Sequence, residues 1–244
     1  MTPHPGAPMR VKTCFMAISL LSSVACASVE STDVRTSGIY ASFEAKGAND
    51  GTTKVHAELT VGENSNTYLD LTGEDTLTAT QGDESKSMSR NNLGSIVWYE
   101  SVFSTNEEGT TFNIAFERGE DENAPNSEVS LPAPFDLTVP TEGDEFSMSA
   151  DKITVAWNNI TDDPMTLLVS GNCFYGITEN IVTDQGVFVI EAARLEPIDP
   201  TTGDMCTATL TLTRERDGEI DEAYGEGGRF KGRQVRTVTI TVAP

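Results

Sequence analysis

Hydrophobic residues recur at every second position along most of this chain. Ile39, Ala41, Phe43 and Ala45 share one face of a run, and Val55, Ala57, Leu59 and Val61 share one face of the next. The spacing returns in Leu69/Leu71, Leu77/Ala79, Val97/Tyr99/Phe103 and Phe112/Ile114/Phe116. It continues through Ile153/Val155/Trp157, Met165/Leu167/Val169, Val187/Val189, Ala208/Leu210/Leu212 and Val238/Ile240/Val242. Strand side chains alternate between faces, so this period predicts half-buried strands, and the Thr-rich opposite positions suit them. Clusters of Gly, Asn, Asp and Pro interrupt the runs too often for long helices. The expected class is all-β, made of antiparallel sandwiches.

Pro132-Ala133-Pro134 interrupts two alternating runs and reads as a hinge. It divides the chain into 38–131 and 135–244, each the size of one β-sandwich. An internal repeat supports the division. Thr53–Ala57 can be laid on Lys152–Ala156, Asn66–Gly73 on Pro164–Gly171, and Ile96–Phe103 on Gly186–Ala193. Thr110–Arg118 then falls on Cys206–Arg214, both ending in Arg, and Ser127–Pro134 falls on Thr237–Pro244. Five strands recurring in one order point to two β-sandwiches in tandem.

The segment before them is an address. Arg10 and Lys12 precede an apolar run, Cys14–Leu21, and small residues follow as far as Ala27. This is the plan of a secretory signal peptide over 1–26, too short to span a bilayer. A polar spacer over 27–37 is expected next, and no transmembrane helix. Two cleavage readings stand. Ser23-Val24-Ala25-Cys26 is lipobox-like, which would leave Cys26 lipidated; Ala25-Cys26-Ala27 also fits ordinary A-x-A cleavage. With Cys26 set aside, Cys173 and Cys206 form an even pair in an oxidising compartment, and a disulfide between them is expected. Free thiols or zinc are the alternatives, but His56 is the only His left to complete a four-ligand site.

Charge narrows the classes. The chain has 16 Lys+Arg against 38 Asp+Glu, a net charge of -22. Such a surface repels phosphate backbones and anionic bilayers, so no nucleic acid is expected, and membrane contact only through a lipid anchor. At 37% hydrophobic residues the chain is still expected to fold. No catalytic motif is present, so no catalytic or cofactor-binding residue is named and an enzyme is not expected. His56 sits on the polar side of its strand. Ca²⁺ is the one cofactor with candidate ligands, in Glu120-Asp121-Glu122-Asn123, Glu142/Asp144/Glu145, Asp162-Asp163 and Asp217/Glu219/Asp221. Their simpler reading is solvated loop tips. The segment 217–236 runs from acidic through Gly-rich to basic. It reads as a long loop, a candidate binding element built on Tyr224, Arg229, Phe230, Lys231 and Arg233, or else an Ω-loop whose charge blocks neutralise each other. Trp98, Tyr99 and Tyr175 read as core or sheet-face residues.

The lipobox-like Cys26, the short polar spacer and the tandem alternating domains resemble Gram-negative envelope lipoproteins with immunoglobulin-like or fibronectin-like sandwiches. The resemblance implies an outer-membrane lipoprotein, since Ala27 is not the Asp associated with inner-membrane retention; a periplasmic or secreted soluble protein is the alternative. It implies no activity. The leading expectation is a non-enzymatic envelope protein that presents its sandwiches to a protein or glycan partner. The alternatives are a secreted β-sandwich hydrolase or carbohydrate-binding accessory module, and a calcium-stabilised adhesin. A hydrolase predicts a concave carboxylate cluster; a binding module predicts an exposed aromatic or apolar patch.

Overall fold

The computed structural model describes residues 27–199 and 205–243. The expected signal peptide over 1–26, with Cys26, lies outside the described residues. The first half contains β1 (Ala27–Glu30), β2 (Ile39–Gly47), β3 (Thr53–Val61), β4 (Thr67–Asp70), β5 (Thr76–Gln81), β6 (Glu84–Ser87), β7 (Ser89–Leu93), β8 (Ile96–Phe103), β9 (Thr111–Glu117) and β10 (Ala124–Ser130). The second contains β11 (Leu137–Val139), β12 (Glu145–Ser147), β13 (Ile153–Trp157), β14 (Met165–Gly171), β15 (Ile177–Ile181), β16 (Val187–Ile190), β17 (Cys206–Asp217) and β18 (Gly228–Ala243). Two three-residue 3-10 turns, Ser31–Asp33 and Thr36–Gly38, complete the regular elements.

Each half is a sandwich. In the first, β2-β3-β8 faces β6-β5-β9-β10; in the second, β11-β13-β16 faces β12-β18-β17-β14-β15. The buried residues fall into two clusters accordingly. They are the alternating sets of the sequence, with Ile39, Ala41, Ala45, Val55, Ala57 and Leu59 fully buried. The chain is all-β, two tandem β-sandwiches. Pairing is mostly antiparallel, but β1 with β4, β12 with β18 and β18 with β2 are parallel.

The repeated segments take corresponding places, with one exception. β3 and β13, β8 and β16, β9 and β17, and β10 and β18 are equivalent in the two sandwiches. β4 does not correspond to β14: it pairs with β1 and β3, and β5 holds the place of β14 beside β9. Alternation alone cannot distinguish β4 from β5, because both bury alternate residues.

The spacer expected over 27–37 is instead folded. β1 runs beside β4, and Ser31 and Thr36 are fully buried. Arg118 holds the segment down. Its guanidinium donates to the Ser31 carbonyl at 2.7 Å, the Val34 carbonyl at 3.0 Å and the Thr36 hydroxyl at 3.0 Å, and pairs with Asp75 at 2.8 Å.

The expected hinge is likewise a clamped joint. Leu131, Ala133 and Phe135 are buried. Each carbonyl from 131 to 135 accepts a side-chain hydrogen bond. Arg216 donates to Leu131 (3.2 Å), Gln234 to Pro132 (3.3 Å), Arg214 to Ala133 (2.8 Å), Asn159 to Pro134 (2.6 Å) and Arg236 to Phe135 (2.5 Å). A segment whose backbone acceptors are satisfied by fixed side chains cannot swing without leaving them unpaired.

The division at 135 separates the cores but not the chain. The β17–β18 hairpin is long enough to leave the second sandwich and enter the first. Gly228–Gln234 pairs in parallel with Ala41–Gly47 of β2, so one sheet runs through both halves. Glu219 meets Glu128 of β10 on the other side, which closes the first sandwich along its open edge.

Cys173 and Cys206 are disulfide-bonded, joining the end of β14 to the start of β17. Replacing both with alanine is expected to lower stability by about 3–4 kcal/mol in the chain-entropy model. Urea denaturation of the double variant measures this, and a loss below about 1 kcal/mol would remove the bridge from the stabilising set.

Candidate functional site

The long sheet turns one face to solvent along its length, and that face has two characters. Over the first sandwich it is a grid of charges. Across the register lie Glu100, His56, Glu44, Lys231 and Asp217, one per strand from β8 to β17. His56 Nε2 is 3.1 Å from Glu58 and Nδ1 is 3.4 Å from Glu100, and the ring stacks near Trp98 with centroids 6.5 Å apart. Burial lowers the affinity of His56 for its proton, but the hydrogen bonds and charges of Glu58 and Glu100 outweigh it. The imidazole pKa therefore lies above the usual His value. Arg233 reaches Glu44 at 2.6 Å and Glu215 at 3.1 Å; Lys231 reaches Glu215 at 3.1 Å and also Asp217. Arg229 donates to the Ser42 hydroxyl at 3.1 Å. Alternating signs satisfy one another here, so the grid presents little net charge to a ligand.

Over the second sandwich the outward positions of β14, β17 and β18 carry no charge, and Glu145 of β12, paired with Thr241, borders them. β17 contributes Thr207, Thr209, Thr211 and Thr213, since Ala208, Leu210, Leu212 and Arg214 point inward. β18 sets Thr241, Thr239 and Thr237 opposite Thr207, Thr209 and Thr211, and Val235 opposite Thr213. On the other flank β14 adds Thr166, Leu168 and Ser170. At the far end of these strands Ser170, Gly171, Asn172, Met205, Thr207 and Thr209 line a shallow depression of about 590 Å³. Beyond it the disulfide gathers three exposed side chains. Cys173–Tyr175 runs against Glu196–Ile198, with Tyr175 N–H to the Glu196 carbonyl and Ile198 N–H to the Cys173 carbonyl, both 2.9 Å. Tyr175, Ile198 and Met205 are 61%, 51% and 54% exposed.

The segment 217–236, expected as a binding loop or an Ω-loop, is a loop only over 218–227; from Gly228 it is β18. Phe230 and Tyr224 are core residues of the first sandwich, 1% and 3% exposed. Phe230 meets Phe43 edge-on at 5.6 Å, and Tyr224 stacks parallel to Phe116 at 6.3 Å. Arg229, Lys231 and Arg233 are outward residues of β18 and belong to the charge grid. The glycines mark close approach. A Cβ on Gly228 would strike the Ala41 carbonyl oxygen, and one on Gly232 the Ser130 carbonyl oxygen. Of the aromatic candidates, Tyr99 is buried and hydrogen-bonded to the Leu71 N–H at 2.8 Å, Trp98 lies on the charged face, and Tyr175 is exposed.

The acidic clusters are dispersed among local partners. Asp163 holds Arg216 at 2.7 Å, Asp144 accepts from Thr141 at 2.8 and 2.9 Å, and Asp221 accepts the Asn126 and Ala223 N–H groups at 2.7 and 2.9 Å. Among the described residues no three His, Cys, Asp or Glu side chains are grouped to hold a metal ion.

Buried polar residues that match no catalytic motif sit at the joint. Arg214 is fully buried and pairs with Asp184 at 2.7 Å; it also donates to the Asn159 carbonyl at 2.7 Å and lies over the Phe135 ring at 5.0 Å. Asp184 further accepts the Trp157 indole at 2.8 Å and the Gly186 and Thr161 N–H groups at 2.9 and 3.2 Å. The signal was present: Arg214, Gln234 and Arg236 occupy inward positions of the alternating pattern, where a polar residue must find buried partners.

No family model and no curated protein matches the chain. Among solved structures it is similar to the FN1–FN3 domains of chicken CNTN1, with 10% identity and a TM-score of 0.28 over 82% of this chain and 62% of that one. It is similar to the I67–I69 fragment of titin, with 9% identity and a TM-score of 0.25 over 83% and 63%. The SGBP-B protein of Bacteroides ovatus, solved with a mixed-linkage heptasaccharide, gives 8% identity and a TM-score of 0.22 over 79% and 53%. The chain thus spans less than two thirds of the length of each of these three.

Proposed function

We propose that this protein is an exported binding module, anchored to the outer membrane through an acylated Cys26, that holds its second sandwich away from the bilayer. The observation that carries this reading is the placement of the chain's entry. β1 starts at Ala27 beside Thr67, and β4 pairs with the end of β3 at Thr60. That end of β3 lies beside the start of β2, at the pole remote from the second sandwich. β18 runs from this pole to the opposite one over 16 residues, about 50 Å at strand rise. An acyl group on Cys26 would be one residue from the folded body. The body would then stand on the headgroups with the disulfide tip outermost. The disulfide itself suits an oxidising compartment.

The role we assign is binding rather than catalysis. Asp75 and Asp184, the most enclosed carboxylates, are each committed to an arginine and to backbone N–H groups, so neither is free to relay a proton. Mass spectrometry of the mature protein tests the anchor. The expected N-terminal peptide starts at an acylated Cys26, and Cys26→Ala is expected to leave the protein unanchored. An unmodified mature terminus at Ser28 or Cys26 would overturn the anchor while leaving export intact.

A further inference from the structure

The solvent face of the long sheet changes character within one pair of strands. On β17 and β18 the positions above the first sandwich are Glu215, Lys231 and Arg233, whereas those above the second are threonines. Strand propensity explains Thr but not the lack of charge, because the same two strands tolerate charges a few residues away. In a chain of net charge -22, three adjacent strands without an outward charge, with Glu145 only at their β12 border, offer a surface suited to an uncharged partner.

We propose that this threonine face binds a neutral polysaccharide, an inference that rests on the reading of the protein as a binding module. Three features select that chemistry. Each Thr hydroxyl can donate and accept, as a sugar hydroxyl does, and its methyl can lie against the C–H face of a pyranose. The side chains are β-branched and repeat about every 6.8 Å along a strand, so the array is stiff and ordered before a ligand arrives. The depression at Ser170, Asn172 and Thr207 extends the same uncharged chemistry to the end of the strands. A protein partner is the poorer match, because the face lacks the Trp, Tyr and Arg anchors that dominate protein interfaces. An acidic glycan is opposed by the carboxylates around the face.

The test uses the mature chain in native gels cast with dextran, galactomannan or soluble starch, and with polygalacturonate as the acidic comparison. Retardation by at least one neutral polymer and none by polygalacturonate is expected. Thr209→Glu with Thr237→Glu is expected to weaken retardation at least tenfold, and Thr211→Val, which keeps the shape and removes one hydroxyl, to weaken it several-fold. Ser89→Glu with Leu93→Glu on exposed β7 adds the same charge and is expected to change nothing. Melting curves confirm that each variant is folded. Retardation that survives the face variants would overturn the threonine site but leave the binding-module reading standing. Absence of retardation by every neutral polymer would overturn the glycan. If light scattering then shows a dimer that Thr209→Glu/Thr237→Glu makes monomeric, the partner is a second copy.

Discussion

Replacing Phe230 with alanine is expected to destabilise the first sandwich by about 3–5 kcal/mol, although Phe230 lies in the last strand of the chain. Its ring is 1% exposed and packs edge-on against Phe43. Truncation would open a cavity between two sheets that β18 holds from the side, so the surroundings cannot collapse freely. The two tryptophans make the measurement direct, since Trp98 belongs to the first sandwich and Trp157 to the second. Urea unfolding followed in Trp157→Phe and Trp98→Phe backgrounds reads each half separately. The first half should lose its stability, and a loss below about 1 kcal/mol would show that the hairpin tip is not part of that core. By the same logic, a fragment ending at residue 134 should lack a cooperative transition, because Tyr224 and Phe230 are missing from its core.

Asp184→Ala should be as damaging, at about 3–5 kcal/mol, by a different route. It leaves the Arg214 guanidinium buried with carbonyl oxygens, the Met165 sulfur and the Phe135 ring around it and no counter-charge. Arg214→Met should cost less: Asp184 keeps the Gly186 and Thr161 N–H groups and the Trp157 indole, and a thioether can pack on Phe135. Acid titration supplies an independent signature. Burial raises the Asp184 pKa, but the Gly186 and Thr161 N–H groups, the indole and Arg214 outweigh it, and the net shift is downward. A carboxyl with a depressed folded pKa contributes stability that is full above its unfolded pKa, near 4, and is lost as pH falls through the folded value. Wild-type stability should therefore decline below about pH 4, with a shallower decline in Asp184→Ala. Equal acid limbs in the two proteins would refute the role given to this carboxylate.

What the sequence disclosed, and what it concealed, follows from the range of each signal. Period-two alternation is local and placed β2, β3, β9, β13, β14 and β17 without tertiary information. The Cys173–Cys206 bridge followed from parity alone. The 217–236 segment reads as a loop throughout because glycine and charge commonly mean one, yet only 218–227 is loop and the rest is β18. Here Gly228 and Gly232 make room for neighbouring backbone, and the charges form cross-strand pairs with β2 and β17. Those neighbours are remote in sequence, which no window on composition can reach. Yet Arg229, Lys231 and Arg233 alternate with Phe230 and Gly232, and period two applied through the glycines would have predicted a strand. The joint was concealed for a related reason. Pro132-Ala133-Pro134 has the composition of a hinge, and only Asn159, Arg214, Arg216, Gln234 and Arg236, all remote from it in the chain, convert it into a fixed seat.

The strand shared by both sandwiches also decides how the molecule carries load. Tension applied between the Ala27 end and the disulfide tip would not be borne by the short peptide at 132–134. Because β2 and β18 lie side by side in parallel over seven register pairs, pulling along their common axis shears those bonds together rather than unzipping them one at a time. The body should resist stretching as one beam, and its first point of yield should be the β2–β18 seam.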